Sequence, residues 1–162
     1  MARTLLIAFT MSVVGMAQSA TLPSGTIPPM FKAAYTDVTP AEQPGAWVIH
    51  VMTRGGFTGG GTGDLVVTSE GQRMLPESAK TTWWLPLYVL KPLSERIRAT
   101  EPSHWTPSRL STCADCVVTL LVLARRDSNG AVQTLSAFWD TTTHRSVAAE
   151  VMRIYDAALR LK

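Results

Sequence analysis

Residues 54–63 read Arg-Gly-Gly-Phe-Thr-Gly-Gly-Gly-Thr-Gly and hold six of the chain's 11 glycines. The run before them, residues 47–53, is rich in Trp, Val and Ile, and residues 64–69 include Leu-Val-Val-Thr. Two β-type runs that flank glycine predict a hairpin with a long loop. Glycine permits positive φ and close backbone approach, at an entropic cost. Such a loop is needed either by the fold or for contact with a partner, and the sequence does not decide between these two interpretations.

Four runs have strand composition: residues 47–53, 64–69, 116–126 and 131–140. The segment Asp127-Ser128-Asn129-Gly130 predicts a tight turn between the last two runs, because Asn-Gly readily supplies positive φ. Residues 73–82 are polar and predict no definite element. A dense apolar cluster then begins at Trp83-Trp84 and is interrupted by a proline.

Two segments show helical spacing. In the first, Leu93 and Ile97 lie one turn apart, and Pro92 is expected in the first turn. In the second, apolar residues recur with helical periodicity over residues 147–159, and Ser146 is expected to cap the start. The order is strand, strand, helix, strand, strand, helix. It predicts an α+β fold, with an antiparallel sheet of about four strands and two helices on one face.

The amino terminus resembles a secretory signal. A short positive region containing Arg3 precedes an apolar run that is too short to span a bilayer comfortably, and small residues follow. We expect residues 1–17 to form a signal peptide, with the mature protein beginning at Gln18 or, if cleavage occurs two residues later, at Ala20. An uncleaved membrane anchor is the alternative. Residues 18–45 are Pro-rich and predict a mobile segment, and residues 46–162 predict a single domain. The expected location is secreted or periplasmic, with no membrane insertion after signal cleavage.

The charge balance gives little reason to expect a charged macromolecular partner. Without residues 1–17 the chain loses one arginine, which leaves 14 basic and 12 acidic residues and a net charge of +2. The basic residues are scattered along the chain. We therefore expect neither nucleic acid nor an anionic membrane as the partner. The expected protein is a monomer whose partner is another secreted protein.

The two cysteines, Cys113 and Cys116, form a Cys-Ala-Asp-Cys motif. In an oxidising compartment this spacing predicts a disulfide that fixes the local backbone. A redox pair is an alternative, although the residues that follow have strand composition rather than the helix that lowers a thiol pKa. Half of a zinc site is the other alternative. It would need two further ligands, and the three histidines have no ligand spacing.

No grouping of residues predicts catalysis. The chain contains no His-Glu-x-x-His motif, and its serines lack the context of a nucleophile elbow. The glycine run does not resemble a phosphate-binding loop, because Asp64 follows Gly63 where a Gly-Lys-Ser/Thr sequence would be needed. The sequence therefore predicts a protein that is not an enzyme, with no catalytic residues, no cofactor and no metal.

The run Val51-Met52-Thr53-Arg54-Gly55-Gly56-Phe57-Thr58-Gly59 resembles the start of emfourin-like proteins, which are small bacterial inhibitors of thermolysin-like metalloproteases. The order of elements over residues 46–162 is similar too. The resemblance implies an inhibitor whose glycine-rich loop offers a bulky apolar side chain to the protease. The chain departs from the family in its signal peptide, its Pro-rich segment, its cysteine pair and its longer loop, which carries Gly60-Gly61-Thr62-Gly63.

Under this hypothesis the partner-binding residues are Arg54, Gly55, Gly56, Phe57, Thr58 and Gly59. Phe57 would enter the protease pocket and Arg54 would contact acidic groups at its rim. Phe57 turned inward as part of the core is the alternative role for that side chain. At the level of function, one alternative is an envelope protein-binding module with its surface around Trp83-Trp84. The other is a small redox protein that uses Cys113 and Cys116.

Overall fold

The computed structural model describes residues 27–31, 39–56, 63–75, 82–105, 110 and 115–161. Six strands and two helices lie in these ranges. The strands are β1 (Trp47–Gly55), β2 (Leu65–Thr68), β3 (Gln72–Met74), β4 (Thr82–Trp84), β5 (Val117–Arg126) and β6 (Val132–Asp140). The helices are α1 (Leu87–Ala99), between β4 and β5, and α2 (Ala149–Leu159), after β6. The strands form one antiparallel sheet in the order β4-β3-β2-β1-β5-β6.

β1 is the central strand, and its side chains explain why the sheet is covered on both sides. It pairs with β2 and with β5, so that Val51 lies opposite both Leu65 and Leu121. The first seven residues of β1 are all buried. Because side chains alternate between the two faces of a strand, each face of the sheet must be covered by another part of the chain.

Both helices cover one face, which we call the helix face. α1 contributes Leu90, Leu93 and Ile97 to its core, and α2 contributes residues that include Val151 and Ile154. The helices are fixed to the sheet by polar contacts as well. In α1 the Ser94 hydroxyl accepts a hydrogen bond of 3.2 Å from Nε1 of the buried Trp47. The remaining core residues of this face are Ile49, Val51, Leu65, Val67, Trp105, Leu121, Leu123, Leu135, Ala137, Trp139, Val147, Ala158 and Leu161.

The opposite face is covered by a short N-terminal piece of the chain. Residues Pro29–Phe31 form one 3₁₀ turn, and Phe31 is fully buried. Phe31 and Ile27 form a second apolar cluster with sheet residues that include Met52 and Leu120. This part of the Pro-rich segment is therefore packed on the domain.

The prediction of about four strands was wrong, because the sheet has six. The two additional strands are β3 and β4, which extend the sheet beyond β2. Each has three residues, and β3 reads Gln-Arg-Met, with no fully buried residue. Strands this short and this exposed leave no alternating apolar pattern, which is why the composition of residues 73–82 gave no signal.

Two details of the helices were also wrong. α1 begins at Leu87, which places Pro92 inside the helix instead of in its first turn. The proline therefore removes the hydrogen bond that its backbone would donate to the Tyr88 carbonyl. Ser146 does not cap α2: Ala148 occupies the cap position without a side-chain bond. The Ser146 hydroxyl instead donates to the Thr143 carbonyl within a 3₁₀ turn.

None of the helices in the described ranges has the length and apolar character needed to cross a lipid bilayer.

Candidate functional site

We call residues 54–63 the glycine loop. Its first two glycines, Gly55 and Gly56, are required by the fold. Gly55 ends β1 opposite Val117 and has a φ of +94°. A Cβ atom at this position would lie 2.6 Å from the Cys116 carbonyl oxygen. Gly56 has a φ of +89°, and a Cβ there would lie 3.2 Å from a methyl group of Val117. Positive φ and close approach to β5 therefore account for both glycines.

Gly55→Ala is expected to destabilise the protein by about 3 kcal/mol, because left-handed strain and a steric clash act together. Gly130→Ala is the matched control. Gly130 also has positive φ, at +84°, but nothing lies within 4 Å of its added Cβ. Its cost is the strain alone, about 1 kcal/mol. Urea unfolding of both variants measures the difference, and equal losses would refute a close approach between Gly55 and β5.

An ion pair between Arg54 and Asp64 joins the end of β1 to the start of β2, on the sheet face opposite the helices. The Arg54 guanidinium donates two hydrogen bonds to the Asp64 carboxylate, of 2.6 and 2.9 Å. Asp64 is 5% exposed and Arg54 is 23% exposed. A bidentate pair of this kind holds both residues in one geometry. On the helix face, the Thr53 hydroxyl donates to the Gly63 carbonyl at 3.2 Å, which joins the end of β1 to the residues just before β2.

His50 lies beside this ion pair, and its pKa reflects the surroundings. Its Nε2 is 4.0 Å from Oδ2 of Asp64, and the side chain is 3% exposed. Burial lowers the pKa of His50 below its usual value. The Asp64 carboxylate acts against this change, and the Arg54 charge acts with it. The imidazole is therefore neutral in the folded protein at neutral pH.

The lowered pKa of His50 predicts a loss of stability as the pH falls. Below about 6.5 the unfolded chain protonates this histidine while the folded protein does not. The unfolded state then binds more protons, so stability decreases from pH 6.5 downward to the lowered pKa, by at most about 1.4 kcal/mol per pH unit. His50→Gln should flatten this part of the curve of urea midpoint against pH. His144→Gln, at an exposed histidine, should leave it unchanged, and an unchanged slope in His50→Gln would contradict the assignment.

The predicted partner-binding and disulfide residues fall partly outside the described ranges. Phe57, Thr58 and Gly59 lie there, as does Cys113. Cys116 precedes β5 and has no free thiol. Its pairing with Cys113 stays a prediction.

A second candidate surface lies at the far end of the sheet from β6, and we call it the aromatic edge. It consists of Trp83 and Trp84 on β4 and of Leu87 and Tyr88 at the start of α1. Their exposed fractions are 39%, 69%, 64% and 78%. The Arg73 guanidinium lies over the Trp83 ring, 4.8 Å from its centroid. β4 is the terminal strand of the sheet, and no described strand pairs with its outer edge.

Sequence reasoning identified only part of these surfaces. It identified Trp83-Trp84 as a candidate surface and Leu87 as part of the same apolar cluster, but it missed Tyr88. Tyr88 could have been found, because it lies two residues before Leu90 and therefore off the buried helical stripe. The roles of Asp64 and His50 depend on strand register and gave no local signal. Within the described ranges, no cluster of three or more His, Cys, Asp or Glu side chains is arranged to hold a metal ion.

No family model, curated protein or solved structure matches this chain. The resemblance to emfourin-like proteins consequently stays a prediction.

Proposed function

We propose that this chain is a non-catalytic protein of the secreted or periplasmic space, and that it binds a partner protein through the aromatic edge. The observation that supports the proposal is the grouping of four large, exposed apolar side chains within six residues, Trp83 to Tyr88. Exposed apolar patches of this kind mark interaction surfaces. Trp and Tyr are also the residues that most often dominate binding energy in an interface.

The expected occupant is an extended segment of the partner that adds a strand to β4. The backbone at the outer edge of β4 offers hydrogen-bonding groups to such a segment. Trp83 and Trp84 point to opposite faces of the strand, so the added segment can place apolar side chains on both sides. Burial of one such aromatic side chain contributes roughly 1.5–3 kcal/mol.

The charges beside the aromatic edge define the partner segment further. Lys91 is exposed and lies one helical turn after Leu87 and Tyr88. Arg73 lies against Trp83 on the other side. Neither residue forms an ion pair among the described residues. A complementary partner therefore carries apolar side chains with a neighbouring acidic residue.

Trp84→Ser tests the proposal, with Met30→Ser as a matched control. Trp84 is the more exposed tryptophan, and Met30 is 47% exposed on the N-terminal turn. The tagged mature domain and both variants are incubated with the secreted fraction, and a captured protein is then purified for direct titration. We expect Trp84→Ser to weaken the titrated affinity at least about 30-fold, as for a hot-spot loss of about 2 kcal/mol. Met30→Ser should bind as the unmodified protein does. Equal binding by all three proteins would refute the aromatic edge as the site.

Inhibition of a thermolysin-like metalloprotease is the second candidate function. The structural support lies in the described residues on either side of residues 57–62, where Arg54 binds Asp64 and Gly55 packs closely against β5. A fixed base lowers the entropic cost of presenting a loop to a protease. The Arg54 guanidinium is already bound to Asp64, so in this proposal its main role is to brace the loop and Phe57 supplies the contact.

Protease assays separate the two candidates. If the loop inhibits, the mature domain slows thermolysin-like proteases, and Phe57→Ala loses inhibition while keeping its thermal midpoint. A sharp fall in the midpoint of Phe57→Ala would indicate that this side chain belongs to the core. No inhibition at high molar excess would remove this candidate and leave the aromatic edge unaffected.

A further inference from the structure

A cleft of about 710 Å³ lies at the end of the sheet where β1 begins and the β5–β6 turn closes. It lies at the opposite end of β1 from Gly55, and it shares Pro44, Gly45 and Arg98 with a neighbouring groove that reaches Leu87 of the aromatic edge. Three arginines line it: Arg98 from α1, and Arg125 and Arg126 from the end of β5. Among the described lining residues the acidic group is Asp127 alone, so the lining carries three positive charges and one negative charge.

The two strand arginines are held in place by neutral acceptors. Nη1 of Arg125 donates to the carbonyls of Ile97 and Thr100 at 2.7 and 3.0 Å, and its Nε donates to Gln133 at 2.9 Å. These bonds satisfy carbonyls at the C-terminal end of α1, where the helix dipole also favours a cation. They fix the guanidinium at the cleft, but they offset its charge only in part.

Arg126 is more deeply placed and is also bonded to backbone carbonyls. It is 8% exposed. Its Nε donates to the Ala41 carbonyl at 3.0 Å, its Nη1 to the Gly130 carbonyl at 2.5 Å and its Nη2 to the Pro40 carbonyl at 3.4 Å. No carboxylate pairs with Arg125 or Arg126 in the part of the chain that the structure describes. Buried charges are normally paired, so this cleft has positive charge that an anion would neutralise.

The remaining two charged groups complete the site. Asp127 is committed to the turn, since its Oδ1 accepts hydrogen bonds from the backbone of Asn129 and Ala131 at 2.8 and 2.9 Å. Arg98 is exposed and makes no ion pair with a described residue. It is therefore available to close on a ligand that the two fixed arginines attract.

We propose that this cleft binds a small organic anion that carries at least two carboxylate or phosphate groups. The exposed Arg98 guanidinium suits both, because its planar N–H pair matches two oxygen atoms at once, while Arg125 and Arg126 contribute mainly their charge. The volume lies within the range of small-molecule sites. Pro44 and Val132 add apolar lining for the body of the ligand. The proposal does not depend on binding at the aromatic edge or at the glycine loop.

Calorimetric titration of the mature protein tests the proposal with citrate, succinate, pyrophosphate and inorganic phosphate, with acetate as the singly charged reference. We expect saturable binding that weakens as salt is added and is tighter for citrate or pyrophosphate than for acetate. The comparison of citrate with pyrophosphate decides between carboxylate and phosphate. An acidic hexapeptide forms a further arm. Binding of the peptide without binding of any small anion would overturn the proposal in favour of a protein segment.

Arg98→Ala and Arg96→Ala form the matched pair of variants. Both residues are exposed on α1, and both variants lose one positive charge, but Arg96 lines a different groove, between the two helices. Arg98→Ala is expected to weaken binding by about tenfold to a hundredfold, and Arg96→Ala by less than about threefold, with thermal midpoints unchanged in both. Arg98→Lys should recover only part of the affinity, because an ammonium group lacks the planar pair of donors. No saturable binding, or equal losses in the two alanine variants, would overturn the proposal.

Discussion

Ile154→Ala is expected to lower the free energy of unfolding by about 2–5 kcal/mol. Ile154 lies in the middle of α2 and is fully buried in the core of the helix face. Truncation removes its apolar contacts and leaves a cavity between α2 and the sheet, which the packed neighbours can fill only in part. Urea unfolding at neutral pH measures the change.

Arg153→Ala is the control for this prediction. Arg153 precedes Ile154 on the same helix and is exposed. Alanine also has the highest helix propensity, so the change in unfolding free energy should stay within about 0.5 kcal/mol. Similar losses at both positions would mean that the packing of α2 differs from the one described here.

Asp64→Ala is expected to destabilise the protein by about 3 kcal/mol. Asp64 is buried, and its carboxylate accepts both hydrogen bonds from Arg54. Removal of one partner of a buried pair leaves the other charge uncompensated, which costs about 3–5 kcal/mol. The lower end of that range applies because Arg54 is 23% exposed and can gain some hydration.

The double variant Arg54→Met with Asp64→Leu tests whether the stability lost in Asp64→Ala comes from the unpaired charge of Arg54. Replacement of both charged residues by apolar ones leaves no unpaired charge, so most of the stability lost in Asp64→Ala should return. If the double variant lost as much stability as Arg54→Met and Asp64→Leu lose in sum when each is made alone, the two residues would act separately. A single variant within 0.5 kcal/mol of the unmodified protein would contradict the buried pair itself.

The sequence predicted the elements that have long periodic patterns. Residues 47–53, 116–126 and 131–140 alternate or run apolar over seven or more positions, and each range falls almost entirely within a strand of the sheet. The stripe that contains Ile154 similarly predicted α2. These segments bury enough apolar surface for periodicity to show in the sequence.

The strands β3 and β4 could not be predicted in this way, which is why the predicted sheet was too small. Each has three residues, and their register depends on the neighbouring strand rather than on their own composition: β3 pairs with β2, and β4 pairs with β3. The candidate sites could not be predicted either, because they are formed by residues that are distant in the sequence. Asp64 meets Arg54 across a hairpin, and Arg98 shares a cleft with Arg126 from a distant strand. Such contacts follow from the topology, which a single sequence does not display.

Amide hydrogen exchange of the protein alone and bound to its captured partner tests the central claim, that the aromatic edge is the binding surface. A strand added to β4 would shield the backbone of Thr82–Trp84 and the start of α1. We therefore predict slower exchange across residues 82–88 in the complex, with residues 57–62 unchanged. Slower exchange confined to residues 57–62, with none across residues 82–88, would contradict the claim and assign binding to the glycine loop.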